Sequence, residues 1–101
     1  MNIEKQHDGV SLTVTLSESL GAIAAHELEA SLADLGGIEE LIIDLAAVEY
    51  ISSAGLRVLL LLHKKMSAQG KMKVKNVLPG IMDIFKMAGF TKFLTIEIIR
   101  E

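Results

Sequence analysis

The sequence predicts an α/β protein, a mixed β-sheet with helices packed on it, in the order β-β-α-β-α-β-α-β. Strand-like and helix-like stretches alternate after an opening pair of strands. The segment "ELIIDL", Glu40 to Leu45, is an almost continuous apolar run, as suits a central strand covered by helices on at least one face. Half of the 101 residues are hydrophobic but only 4% are aromatic, so the core is aliphatic, built from Leu, Ile, Val, Ala and Met.

"NIEKQ" and "VSLTVTL" read as two strands around a turn at Asp8-Gly9. In the second, Val10, Leu12, Val14 and Leu16 alternate with Ser11, Thr13 and Thr15, the period of a half-buried strand. "AIAAHELEASLADLGG" reads as a helix with Leu28, Leu32 and Leu35 on one face and Gly36 as its stop. After the strand Glu40 to Leu45 comes "AGLRVLLLLHKKMSAQG", a helix apolar nearly all round in its first half. Lys64 and Lys65 suit its C-terminal end, and Gly70 ends it. "KMKVKNV" is a strand with one lysine face. Lys71, Lys73 and Lys75 either bind an acidic group or, the plainer reading, guard an edge against pairing. "PGIMDIFKMAG" is a third helix, with Pro79 in its first turn, and "LTIEII" is the last strand. Helices set between apolar strands imply crossovers and substantial parallel pairing.

The length suits one domain, residues 1–101, and a chain of this size buries roughly two thirds of its unfolded surface. There is no repeat and no low-complexity tract. With no cysteine, a disulfide framework and a thiolate zinc site are both excluded. The N-terminal "MNIEKQHDGV" lacks the apolar centre of a signal peptide. The longest apolar run, Val58 to Leu62, is far short of the ~20 residues that span a bilayer. A cytoplasmic protein without membrane insertion, monomeric when alone, is expected. A net charge of −3 and few aromatics argue against nucleic-acid binding.

The stretch "EYISSAGLRVLLLL" places two hydroxyls and a glycine at the mouth of the second helix. Ser52 or Ser53 falls at the helix N-cap, where a hydroxyl accepting an orphan N–H is worth ~1 kcal/mol. The same position has a functional reading. A helix N-terminus favours negative charge, so a serine there is a plausible phosphorylation target. Ala54 and Gly55 are small and would leave such a hydroxyl accessible.

Other chemistry is thinly represented. His63 lies ten residues beyond Ser53 on the same helix, roughly 15 Å away, too far to act as its base. His26 and Glu29 have the spacing of a metal-site fragment but lack two further ligands, so an exposed helix face is the simpler reading. Asp44 ends a strand near the serine loop and is expected to hydrogen-bond the loop backbone. Met82, Phe85, Met87 and Phe90 read as core or rim packing, with an adaptable binding surface as the other possibility. Nothing calls for a cofactor or a metal, and no acid/base pair supports an enzyme.

The segment "IIDLAAVEYISSAGLRVLLLLHKKMSAQGKMKVKNV" resembles the core of the STAS domain, specifically the single-domain anti-sigma factor antagonists. Those proteins carry a strand ending "DLS", a loop, and then Asp-Ser-Ser/Thr-Gly-Leu opening a helix. "IMDIFKMAGFTKFLTI" is similar to the family's third helix and last strand. Aligned through Gly55-Leu56, Ser53 takes the place of the family's phosphorylated serine. Ser52 stands where the family often has Asp, Ala54 where it often has Ser or Thr, Glu18 where Gly is common and Gly21 where Asp is common.

The resemblance implies a STAS-like fold and a non-enzymatic partner switch. The unphosphorylated form would bind an anti-sigma factor that is itself an ATP-using serine kinase, freeing the sigma factor. Phosphorylation of Ser53 would end the complex, and a serine phosphatase would reset it. The implied contact surface is Ser52, Ser53, Ala54, Gly55 and Arg57 with Ser17, Glu18 and Gly21 of the neighbouring loop. Single STAS domains also resemble cytoplasmic accessory subunits of lipid-transport ABC systems. In that alternative the serine docks on an ATPase.

Overall fold

The computed structural model describes residues 3–99. Strand β1 (Ile3–Asp8) pairs antiparallel with β2 (Ser11–Leu16). Asn2, expected at the start of the first strand, lies outside the described residues. Then follow α1 (Ala22–Ser31), β3 (Glu40–Asp44), α2 (Ser53–Ser67), β4 (Lys71–Val77), α3 (Pro79–Met87), a 3₁₀ turn (Phe90–Lys92) and β5 (Thr95–Ile98). The five strands form one sheet in chain order, β1-β2-β3-β4-β5, and every pair after the first is parallel. The mixed sheet and the element order are those expected.

Each crossover steps one strand in the same direction, so right-handed connections put all three helices on one face. The burial pattern agrees. Leu12, Val14, Leu41, Ile43, Met72 and Val74 alternate inward beneath Leu28 of α1, Leu59, Leu62 and Met66 of α2, and Phe85 of α3. The opposite face carries Thr13, Thr15, Ile42, Asp44, Lys73 and Lys75, all only half-buried.

The lysines of β4 do not guard an edge, because β4 lies between β3 and β5. They stand on the helix-free face, where Lys73 Nζ meets Glu97 Oε2 at 3.2 Å. The first helix is shorter than its leucine spacing suggests. Leu32 and Leu35 remain buried, but the Asp34 side chain accepts the Gly36 N–H at 2.9 Å, forming a turn instead of a further helical one. Gly37 then takes φ +82°, a conformation suited to glycine.

Within β4, Asn76 adopts φ +56°, and the register with β5 shifts between Val74 and Val77. This bulge lets Val77 point into the core although it lies an odd number of residues after Val74. The phenylalanines gather at one end. Phe85 and Phe90 are stacked with ring centroids 5.7 Å apart, and Phe93 lies against Phe90 at 5.1 Å. Phe85 and Phe90 are core residues as expected, whereas Met87 is 89% exposed.

Candidate functional site

Two loops leave the C-terminal ends of the parallel strands and meet, the place where open α/β sheets present their sites. One follows β2 and contains Ser17–Gly21. The other follows β3 and leads into α2. The second loop is pinned from within, since Leu45, Val48 and Ile51, spaced by three, are all buried.

Its start is tied to the sheet. Asp44 Oδ1 accepts the Ala46 N–H at 3.0 Å, the loop-backbone bond expected of this residue. Both carboxylate oxygens of Asp44 also accept from Asn76 Nδ2, each at 3.1 Å. Its far end is tied to the first loop. Leu20 and Ile51 form a parallel bridge, in which Leu20 N donates to Tyr50 O and Ser52 N to Leu20 O, each at 2.9 Å. The Glu49 N–H adds a bond to Ser19 Oγ at 3.1 Å.

The two serines are not equivalent. Ser52 is the N-cap, with its Oγ accepting from Gly55 N at 3.0 Å and donating to Leu20 O at 3.2 Å. Its hydroxyl is fully engaged. Ser53 is the first helical residue and is exposed, and its hydroxyl makes no hydrogen bond among the described residues. The sequence left the cap open between them, and the geometry assigns it to Ser52.

The other expected contact residues lie on the first loop and at the start of α2. Ala54 packs half-buried against the core, and Gly55 is buried against Leu20. Gly21 is the N-cap of α1, so both helices start side by side. Ser17 and Glu18 are exposed on the first loop. Arg57 points across to α1, its Nη2 3.8 Å from Glu29 Oε1. Sequence reasoning included Ser19 and Leu20 in the Ser17–Gly21 loop but gave them no role, and it missed Asn76; all three support the two loops. A single leucine inside the polar "SESLG" was the only signal for Leu20.

His63 packs its ring 4.8 Å from Phe93, away from Ser53. Among the described residues, no three His, Cys, Asp or Glu side chains group for a metal ion. No helix among them is long and apolar enough to cross a membrane.

Comparison with known proteins decides the family. The STAS domain model matches residues 2–99. The chain belongs to the STAS domain family. A Bordetella bronchiseptica protein bearing the name anti-sigma factor antagonist BtrV is 34% identical over 97 residues, covering 93% of this chain and 83% of that protein. Among solved structures, a Thermotoga maritima protein described as an anti-sigma factor antagonist superposes with a TM-score of 0.86 at 16% identity, covering 94% of this chain and 85% of that one. The antagonist SpoIIAA in its unphosphorylated form gives a TM-score of 0.82 at 15% identity, covering 93% and 86% of the two chains. The Bacillus protein has also been solved phosphorylated, with a TM-score of 0.74 to this chain. At those identities the structural likeness establishes the STAS fold.

Proposed function

We propose that this STAS protein is an anti-sigma factor antagonist that acts by partner switching, with Ser53 as its phosphoacceptor. The observation that carries this reading is the division of labour at the start of α2. Ser52 holds the helix and the neighbouring loop, while Ser53 presents an uncommitted, exposed hydroxyl. The protein would act as one domain, and the partner an anti-sigma factor with serine kinase activity in the cytoplasm.

The contact surface is Ser53 with Ser52, Ala54, Gly55 and Arg57, framed by Ser17, Glu18 and Gly21. In the switching step the Ser53 hydroxyl takes the γ-phosphoryl group of ATP. An O–P bond forms, the hydroxyl proton is released and ADP leaves. A serine phosphatase hydrolyses that bond with water and returns serine and inorganic phosphate.

The electrostatics make such a mark effective without refolding. Phosphorylation adds about −1.5 to −2 charges to the contact surface. Glu18 and Glu49, both exposed on the adjoining loops, already make that region acidic. Burying an added charge against a partner shaped for a neutral hydroxyl costs about 2–5 kcal/mol, by analogy with broken interfacial charge pairs. Since ~1.4 kcal/mol is tenfold, affinity falls by tens to thousands-fold.

The test is titration calorimetry of wild type, Ser53→Ala and Ser53→Asp against the purified anti-sigma kinase of the source organism. Wild type and Ser53→Ala should bind alike and Ser53→Asp at least tenfold more weakly. Equal affinity of all three removes the phospho-switch.

A further inference from the structure

Arg57 stands four residues after Ser53 on α2, so both lie on one helix face. Long side chains on a helix lean back over the preceding turn, toward its N-terminus. For Arg57 that turn begins at Ser53. The guanidinium's partner in this structure is Glu29 of α1, at 3.8 Å, with 63% of the Arg57 side chain and 43% of that of Glu29 accessible to solvent. An ion pair that long and that wet is weak.

Along the two loops and the first turn of α2, Arg57 is the one Lys or Arg. Across residues 17–21, 45–52 and 53–57, the charged side chains are Glu18, Glu49 and Arg57. Glu29 is the acidic group facing Arg57 from α1. A phosphate on Ser53 would therefore arrive in an acidic neighbourhood with one guanidinium within reach.

We propose that Arg57 is the internal ligand of a phosphate on Ser53. On phosphorylation the guanidinium exchanges the Glu29 carboxylate for the phosphate, a geometry in which two N–H groups donate to two oxygens. The exchange neutralises part of the new charge, holds the phosphate against the first turn of α2 and uncovers Glu29. The partner then meets a rearranged α1–α2 surface and not merely an added charge. This inference rests on Ser53 being the phosphoacceptor.

The experiment installs phosphoserine at position 53 by genetic code expansion, so its outcome does not depend on any kinase. Phosphorus-31 NMR follows the second ionisation of the phosphate in otherwise wild-type protein and in Arg57→Gln, Arg57→Lys and Glu29→Gln. The helix N-terminus acts equally in all four. Loss of the neighbouring cation in Arg57→Gln should raise the midpoint by about half a pH unit. Arg57→Lys should fall between, and Glu29→Gln should lie at or below wild type. Equal midpoints in wild type and Arg57→Gln overturn the assignment.

A second reading needs no variant. The ¹⁵Nε resonance of Arg57 should move when phosphoserine replaces Ser53, and an unmoved resonance also overturns it. If the midpoints differ as expected while Ser53→Ala and Ser53→Asp bind the kinase equally, the Arg57 contact stands and the partner-switch reading falls.

Discussion

A Cβ added at Gly55 would lie 2.8 Å from the carbonyl oxygen of Leu20. That oxygen already accepts both the backbone N–H and the hydroxyl of Ser52, so it has no room to retreat without loosening the cap. The Leu20 and Ile51 side chains close the same space at 2.9 and 3.0 Å. Gly55→Ala gains about 1 kcal/mol of helix propensity but forces a backbone shift that overpacking data place at about 1–3 kcal/mol. Net destabilisation, read as a lower urea midpoint, is the expected result. Loss of the Leu20–Ile51 bridge should appear as faster amide exchange at Ser52.

The two serines should separate cleanly in stability. Ser52→Ala removes a cap and one donor to Leu20 O, an expected loss of about 1 kcal/mol, up to about 2. Ser53→Ala removes an exposed hydroxyl without partners and should stay within about 0.5 kcal/mol of wild type. Chemical denaturation of both variants checks the contrast. Equal losses would show that the cap is misassigned.

Asn76 combines a left-handed backbone with two bonds to Asp44. Asn76→Ala loses the bonds while keeping a Cβ at positive φ, which costs about 1–2 kcal/mol where no side-chain bond compensates it. Asn76→Gly loses the same bonds and adds about 0.5–1 kcal/mol of glycine's chain entropy, but it carries no Cβ at the positive φ. The alanine variant should therefore be the less stable of the two in a urea titration.

Lys73 and Glu97 form an ion pair on the helix-free face, with 30% and 53% of their side chains accessible. Such a pair contributes about 1 kcal/mol at most. Lys73→Ala should lower stability by no more than that, and the difference should shrink in 1 M salt, where screening acts over about 3 Å. A larger or salt-independent loss would place the lysine stem, not its charge, in the stabilising role.

Much of the fold was legible because its signals are local. The alternation in "VSLTVTL" marked the buried face of β2, and the serine cap marked the start of α2 within a residue. The end of α1 was not legible. Leu32 and Leu35 keep helical spacing although the chain turns at Asp34, since buried leucines are equally served by a turn that faces the core. The β4 lysines misled for a related reason. Alternation reveals that one face of a strand is polar, but whether neighbours flank it on both sides is set by strand order, a long-range property.

At the site, the serines and the small residues after them stood out in sequence. Their support did not. Leu20 meets Ile51 across 31 positions, and Asn76 meets Asp44 across 32. No local pattern encodes such pairs.

The sheet follows the order of the chain, so each strand after the first is laid against the one made just before it. On a ribosome no strand waits for a distant partner. Parallel pairing is intrinsically slow because loops must close first, and here each closure spans a single helix. Assembly can thus run as a ratchet from β1 toward β5, each step offering one open edge to the next. Pulse-labelled hydrogen exchange during refolding should find β2 and β3 protected before β5. The serine pair, set between β3 and α2, would then be in place before the last strand closes the sheet.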